Sequence, residues 1–73
     1  MGVNQQQAVN IWPKIVGKKI AENTTAQDVE HGVLIVRVAS PIWAQELQFQ
    51  KKEVLFKINS ALEKNTIKDI RFV

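Results

Sequence analysis

From Ala8 to Ile20 the apolar positions Ala8, Ile11, Trp12, Ile15, Val16 and Ile20 follow a spacing that lines one face of an amphipathic helix. Pro13 lies inside that run, lacks an amide proton and crowds the preceding turn. The pattern therefore predicts a kink there, or a helix whose main segment starts there. Gly17 costs a helix interior about 1 kcal/mol relative to Ala, a cost that a close packing contact would justify. Asn23, Thr24 and Thr25 offer side chains that compete with the backbone for hydrogen bonds, which predicts a helix stop. The polar residues 1–7 read as a flexible lead, and residues 8–73 as a single domain.

Period two replaces the helical period further along. Ala26 to Glu30 is a weak strand pattern with Val29 as its one strong β residue. His31-Gly32 punctuates, and Val33 to Ala39 follows as the strongest strand pattern in the chain. Its near-continuous Val, Leu and Ile content predicts a central strand, and the short separation predicts an antiparallel hairpin. Leu34, Val36 and Val38 share one face; Val33, Ile35, Arg37 and Ala39 share the other.

Ser40-Pro41 predicts a helix start, with the serine hydroxyl capping free amides and the proline at the first helical position. The helix should run from Pro41 to about Glu63, ended by Lys64-Asn65, with a stripe of Trp43, Leu47, Val54, Leu55, Ile58 and Leu62. Ile67 to Val73 reads as a last strand, with Ile70 and Phe72 on its core face and Asp69 and Arg71 opposite. The order is helix, strand, strand, helix, strand. That predicts an α+β two-layer sandwich, a three-stranded sheet with two helices on one face. A helix joins the second and third strands, so those two should be parallel. The other sheet face should stay bare, showing Val33, Ile35, Arg37, Asp69 and Arg71, with Asp28 and Glu30 beside them.

Seventy-three residues leave room for one small core. Apolar residues are 45% and charged residues 23%, a balance that folds rather than stays disordered. With no cysteine there is no disulfide scaffold, thiolate metal site or cysteine nucleophile. Together with the lack of a long apolar run or signal-type start, this reads as a cytoplasmic protein. The formal charge of +3 is unevenly placed: residues 1–36 hold three charges of each sign, residues 37–73 seven basic and four acidic. A solvated basic surface explains that excess as readily as weak attraction to a polyanion does.

Chemistry-bearing constellations are sparse. His31, the one histidine, falls in the expected hairpin turn and reads as a solvated turn residue rather than a base or ligand. Asp28, Glu30 and Asp69 share the bare face with Arg37 and Arg71, which suggests surface pairing rather than a metal or catalytic cluster. No glycine-rich phosphate loop occurs and no cofactor is implied. The helix and strand pattern resembles a KH-type fold, but the G-x-x-G clamp of its nucleic-acid-reading versions is missing. Trp12, Trp43 and Phe72 read as core residues in preference to partner contacts. Phe49 and Phe56, seven apart and off the main stripe, read as partly exposed.

Four segments in order carry a wider resemblance: Trp12-Pro13-Lys14-Ile15-Val16-Gly17-Lys18-Lys19-Ile20-Ala21, Gly32 to Val38, Ser40-Pro41-Ile42-Trp43-Ala44-Gln45-Glu46-Leu47, and Ile67-Lys68-Asp69-Ile70-Arg71-Phe72. Together they resemble the DciA family of bacterial proteins, associated with loading or operating the replicative helicase DnaB. The resemblance implies a KH-like domain without the nucleic-acid clamp. It also implies contact with DnaB, and weak engagement of single-stranded DNA unless a basic extension helps. Trp12, Gly17, Trp43 and Leu47 would be scaffold, Gly17 letting the long helix approach the first.

The expected function is thus a non-enzymatic module that binds DnaB and assists its placement on single-stranded DNA in the bacterial nucleoid. Ile35, Arg37, Lys68 and Arg71 are the candidate partner contacts; Lys18, Lys19, Lys51 and Lys52 are the candidate DNA contacts. Two other readings stay open: a single-stranded nucleic-acid binder that acts without a helicase, and a dimerisation domain of a larger protein, weakly self-associating through an open sheet edge.

Overall fold

The structure, a computed structural model, describes residues 6–63 and 67–73. The apolar stripe of the N-terminal segment forms α1, Gln6–Val16, two residues earlier than the stripe predicts. Most of the predicted lead, residues 1–5, lies outside the described residues, as does the Lys64-Asn65 helix stop. Pro13 is accommodated inside α1; the break comes at Gly17, whose backbone turns to φ +90° before the single-turn α2, Lys18–Ala21. The expected close approach at Gly17 is absent, since a Cβ placed there would meet nothing within 4 Å. The glycine is explained by its positive φ, which L side chains disfavour.

Asn23 and Thr24 end the helical region as predicted. The Asn23 amide donates to the Lys19 carbonyl at 2.9 Å, and the Thr24 hydroxyl to the Ile20 carbonyl at 2.8 Å. β1, Thr24–Glu30, then starts two residues before the β pattern becomes visible. His31 and Gly32, both at positive φ, form the two-residue turn into β2, Val33–Val38, as a tight hairpin requires. β1 and β2 are antiparallel, Glu30 facing Val33, with a bulge between Ala26 and Asp28.

The long helix α3 covers Pro41–Leu62 and ends on Glu63 in the left-handed conformation. Pro41 occupies the first turn, and Ser40 has the extended backbone of an N-cap. Its hydroxyl, however, makes no capping bond. The start is therefore set by proline geometry and by the Ser40 carbonyl accepting from the Ala44 amide. β3 is Asp69–Phe72, parallel to β2, and the strand order is β1-β2-β3 with β2 in the centre. The fold is α+β, three helices on a mixed three-stranded sheet; the predicted first helix is divided in two. No helix among the described residues is long and apolar enough to cross a membrane.

A single apolar layer lies between helices and sheet. Ala8 and Trp12 of α1, Val54 and Ile58 of α3, and Leu34, Val36 and Ile70 of the sheet are buried together with Ile67. Leu47 is fully buried as well, whereas Trp43, expected in the core, is only half-buried. Asn59 fastens the return of the chain: its amide donates to the Ile67 carbonyl and its oxygen accepts from the Ile67 amide, both at 2.9 Å. This two-way bond replaces a strand ladder before β3 begins and holds Ile67 in the core.

Candidate functional site

The period of two divides the sheet residues as expected, and among the described residues the helices pack on the Leu34, Val36 and Ile70 face and not on the second one. Across it run cross-strand rows, because paired residues point to the same side. Glu30, Val33 and Asp69 form one row and Asp28, Ile35 and Arg71 the next; Thr25 and Arg37 face each other beyond. Val33 and Ile35 are half-buried by their neighbours, and the charged residues are exposed. The face therefore has an apolar centre at Val33 and Ile35, acidic Glu30 and Asp69 beside the hairpin turn, Asp28 and Arg71 flanking Ile35, and Arg37 beyond.

The expected pairing of Arg37 and Arg71 with carboxylates of this face is not found. Among the described residues, neither guanidinium lies within 4.0 Å of a carboxylate. Asp28 instead accepts from the Val29 amide at 2.8 Å. Asp69 pairs with Lys51 of α3 at 3.1 Å. Its carboxyl is held below the usual carboxylate range, first by the hydrogen bond from the Ile70 amide and then by Lys51.

Of the candidate partner contacts, Ile35, Arg37 and Arg71 fall together on this face. Lys68 precedes β3: its amide donates to the Gly32 carbonyl at 2.7 Å. Its side-chain methylenes also lie where a Cβ on Gly32 would come within 3.2 Å. The candidate DNA contacts separate. Lys51 is engaged by Asp69, Lys52 is exposed on α3, and Lys18 and Lys19 are exposed on α2.

Lys18 and Lys19 border a groove of about 520 Å³ between α2 and the first turns of α3. Ile20, Trp43, Glu46 and Gln50 also line it. The Gln50 amide donates to one Glu46 oxygen at 3.0 Å. The helical period assigns Trp43 to a core stripe and gives no weight to Glu46 or Gln50. A usable signal was length: 22 helical residues span about 33 Å, while the six residues of β2 span about 20 Å. The helix must outrun the sheet beneath it. Along α3, Ile42, which also borders the groove, Phe49 and Phe56 are 77%, 81% and 72% exposed at seven-residue spacing, in line with the reading of Phe49 and Phe56.

Comparison with known proteins bears on the whole folded unit. The family model described as "Dna[CI] antecedent, DciA" matches residues 2–72. A UPF0232 protein of Bifidobacterium longum is 34% identical over 65 residues, covering 89% of this chain and 42% of that protein. A UPF0232 protein of Mycobacterium marinum is 30% identical over 60 residues, 82% of this chain and 32% of that protein. An uncharacterized protein of Treponema pallidum is 39% identical over 44 residues, 60% and 30%. The chain thus spans roughly a third to two fifths of the length of these relatives.

Proposed function

Because the chain belongs to the DciA family, we propose that it is a non-enzymatic, KH-like interaction domain that binds the replicative helicase DnaB in the cytoplasm and assists its loading onto single-stranded DNA. The observation that carries this reading is the family match along nearly the entire chain, residues 2–72, which takes in both the sheet and the helices. A role in replication follows from membership; the particular contacts are the proposal.

The bare sheet face supports docking. Its apolar centre at Val33 and Ile35 can be desolvated against a partner, and the guanidiniums of Arg37 and Arg71, without a carboxylate within 4.0 Å among the described residues, can form two-pronged bonds to carboxylates. Charges at both ends orient whatever lands there, which favours specificity and fast encounter more than raw affinity. Assistance to the helicase then needs no nucleotide chemistry. A domain that binds the strand-admitting conformation of the helicase more tightly than the closed one shifts that equilibrium by its preference alone. Lys18, Lys19 and Lys52, free of ion pairs among the described residues, would approach the DNA backbone.

The test is capture of purified DnaB by the 73-residue chain, comparing wild type with Arg37→Glu and Arg71→Glu. Loss of capture with an unchanged circular dichroism spectrum supports the docking face. Full capture by both variants removes it. Failure of the wild type to hold DnaB, with tight and salt-steep binding to single strands, favours a nucleic-acid binder that acts alone.

A further inference from the structure

The groove beside Trp43 lies apart from the sheet face and is not explained by packing. Trp43 is only half-buried although α3 has a fully buried core residue, Leu47, one turn later. The groove's lining includes two exposed cations, Lys18 and Lys19, with no carboxylate within 4.0 Å among the described residues. The lining also includes the Glu46 carboxylate, one oxygen of which accepts from Gln50 while the second has no protein donor among the described residues. Gly17 leaves the α2 side open, since a Cβ there would touch nothing.

We propose that this groove is a subsite for one nucleotide of single-stranded DNA, with the phosphate on Lys18 and Lys19, the base against Trp43, and Glu46 selecting bases that carry an exocyclic amino group. The inference rests on the reading of single-stranded DNA as the second partner and names where it is held. The lining combines distinct chemistries. Ammonium groups attract a phosphate, and the half-buried indole lining the groove offers a sequence-tolerant stacking surface. A carboxylate accepts from the N4 amino group of cytosine or the N6 amino group of adenine and repels the O4 carbonyl of thymine. The volume of about 520 Å³ falls in the usual range for small-ligand sites, roughly 300–1,000 Å³.

An acidic peptide is the competing occupant. It would satisfy Lys18 and Lys19 equally well, but it would gain nothing from Glu46 and would be repelled there. A nucleotide can use the lysines through its phosphate and Glu46 through its base. The assignment also keeps the groove independent of Arg37 and Arg71, so DNA and helicase can be held at the same time.

The experiment is fluorescence anisotropy of the full 73-residue chain with labelled oligodeoxycytidylate and oligothymidylate, each titrated at several salt concentrations. The expected result is tighter binding of the cytidylate. Trp43→Ala should weaken it roughly tenfold, and Trp43→Phe should retain most of the affinity because the ring still stacks. Lys18→Ala and Lys19→Ala should each flatten the slope of log affinity against log salt by about 0.7. Glu46→Gln, which can donate as well as accept, should erase the preference over thymidylate. Circular dichroism distinguishes lost binding from lost folding; if Trp43→Ala unfolds, Trp43→Phe and Glu46→Gln carry the decision. Undiminished binding by Trp43→Ala, or a base preference indifferent to Glu46→Gln, overturns the proposal. So does absence of oligonucleotide binding by a wild-type chain that still captures DnaB, an outcome that leaves the helicase reading intact. Oligonucleotide binding with these dependences but no capture of DnaB would support the groove and sink the helicase reading instead.

Discussion

Replacing Thr24 by Val probes the joint on which α1, α2 and β1 meet. The Trp12 indole, 1% exposed, donates its N–H to the Thr24 hydroxyl at 2.8 Å, and that hydroxyl donates in turn to the Ile20 carbonyl at 2.8 Å. Valine keeps the shape and removes both bonds. The Ile20 carbonyl still accepts from the Asn23 amide at 3.0 Å, so it remains satisfied. The indole N–H does not, and a buried donor without a partner costs about 1–3 kcal/mol. The added methyl group returns up to about 0.8 kcal/mol of apolar burial, leaving a net loss of about 1–2 kcal/mol. A domain of this length has about 4–11 kcal/mol of stability in all, and each kcal/mol moves its melting temperature by about 4–8 °C. Urea and thermal unfolding followed by circular dichroism should therefore show a drop of about 5–15 °C for Thr24→Val and a smaller one for Thr24→Ser, which keeps the hydroxyl. In a Trp12→Phe background, where no indole N–H awaits a partner, the same substitution should cost about 1 kcal/mol less. Equal cost in both backgrounds would refute the reasoning.

Other consequences are accessible to the same assays. Gly17→Ala should destabilise by about 1 kcal/mol despite the open space around it, because the cost is in its φ of +90°; a neutral or stabilising outcome in urea would contradict that. Asn59→Ala leaves both polar groups of Ile67 without their side-chain partner and should cost about 1–3 kcal/mol, with faster amide exchange at Ile67 as the local readout. Phe49→Ser and Phe56→Ser should leave stability within about 0.5 kcal/mol, since both rings are exposed. The Asp69 carboxyl has its pKa lowered in the folded chain, so the unfolded chain binds the proton more readily. Its stabilisation is complete above the ordinary carboxylate pKa and is lost as pH falls through the lowered value. Acid titration of unfolding midpoints should show Asp69→Asn removing part of the drop below about pH 4, a small part because the pair with Lys51 is exposed to solvent.

Periodicity alone carried the element order, the hairpin, the central place of β2 and the parallel pairing of β2 with β3. Each of these is decided by local side-chain spacing or by the chain length needed to cross between strands. It also separated the two sheet faces, so Ile35, Arg37 and Arg71 could be grouped before any fold was known. It could not say why Gly17 is glycine, because space and backbone dihedral are indistinguishable in a string of letters. Ser40 shows a similar limit: the residue type favours a cap, but whether its hydroxyl reaches an amide depends on a side-chain rotamer set by its surroundings. Nor could the sequence show that Trp12 and Trp43, both on apolar helical stripes, have opposite fates. Trp12 lies over the sheet and finds Thr24 from another element, while Trp43 lies where a long helix runs past a short sheet and borders a groove instead. A helical period tells which side of a helix is apolar; only the lengths and placement of neighbouring elements decide how much of that side is covered.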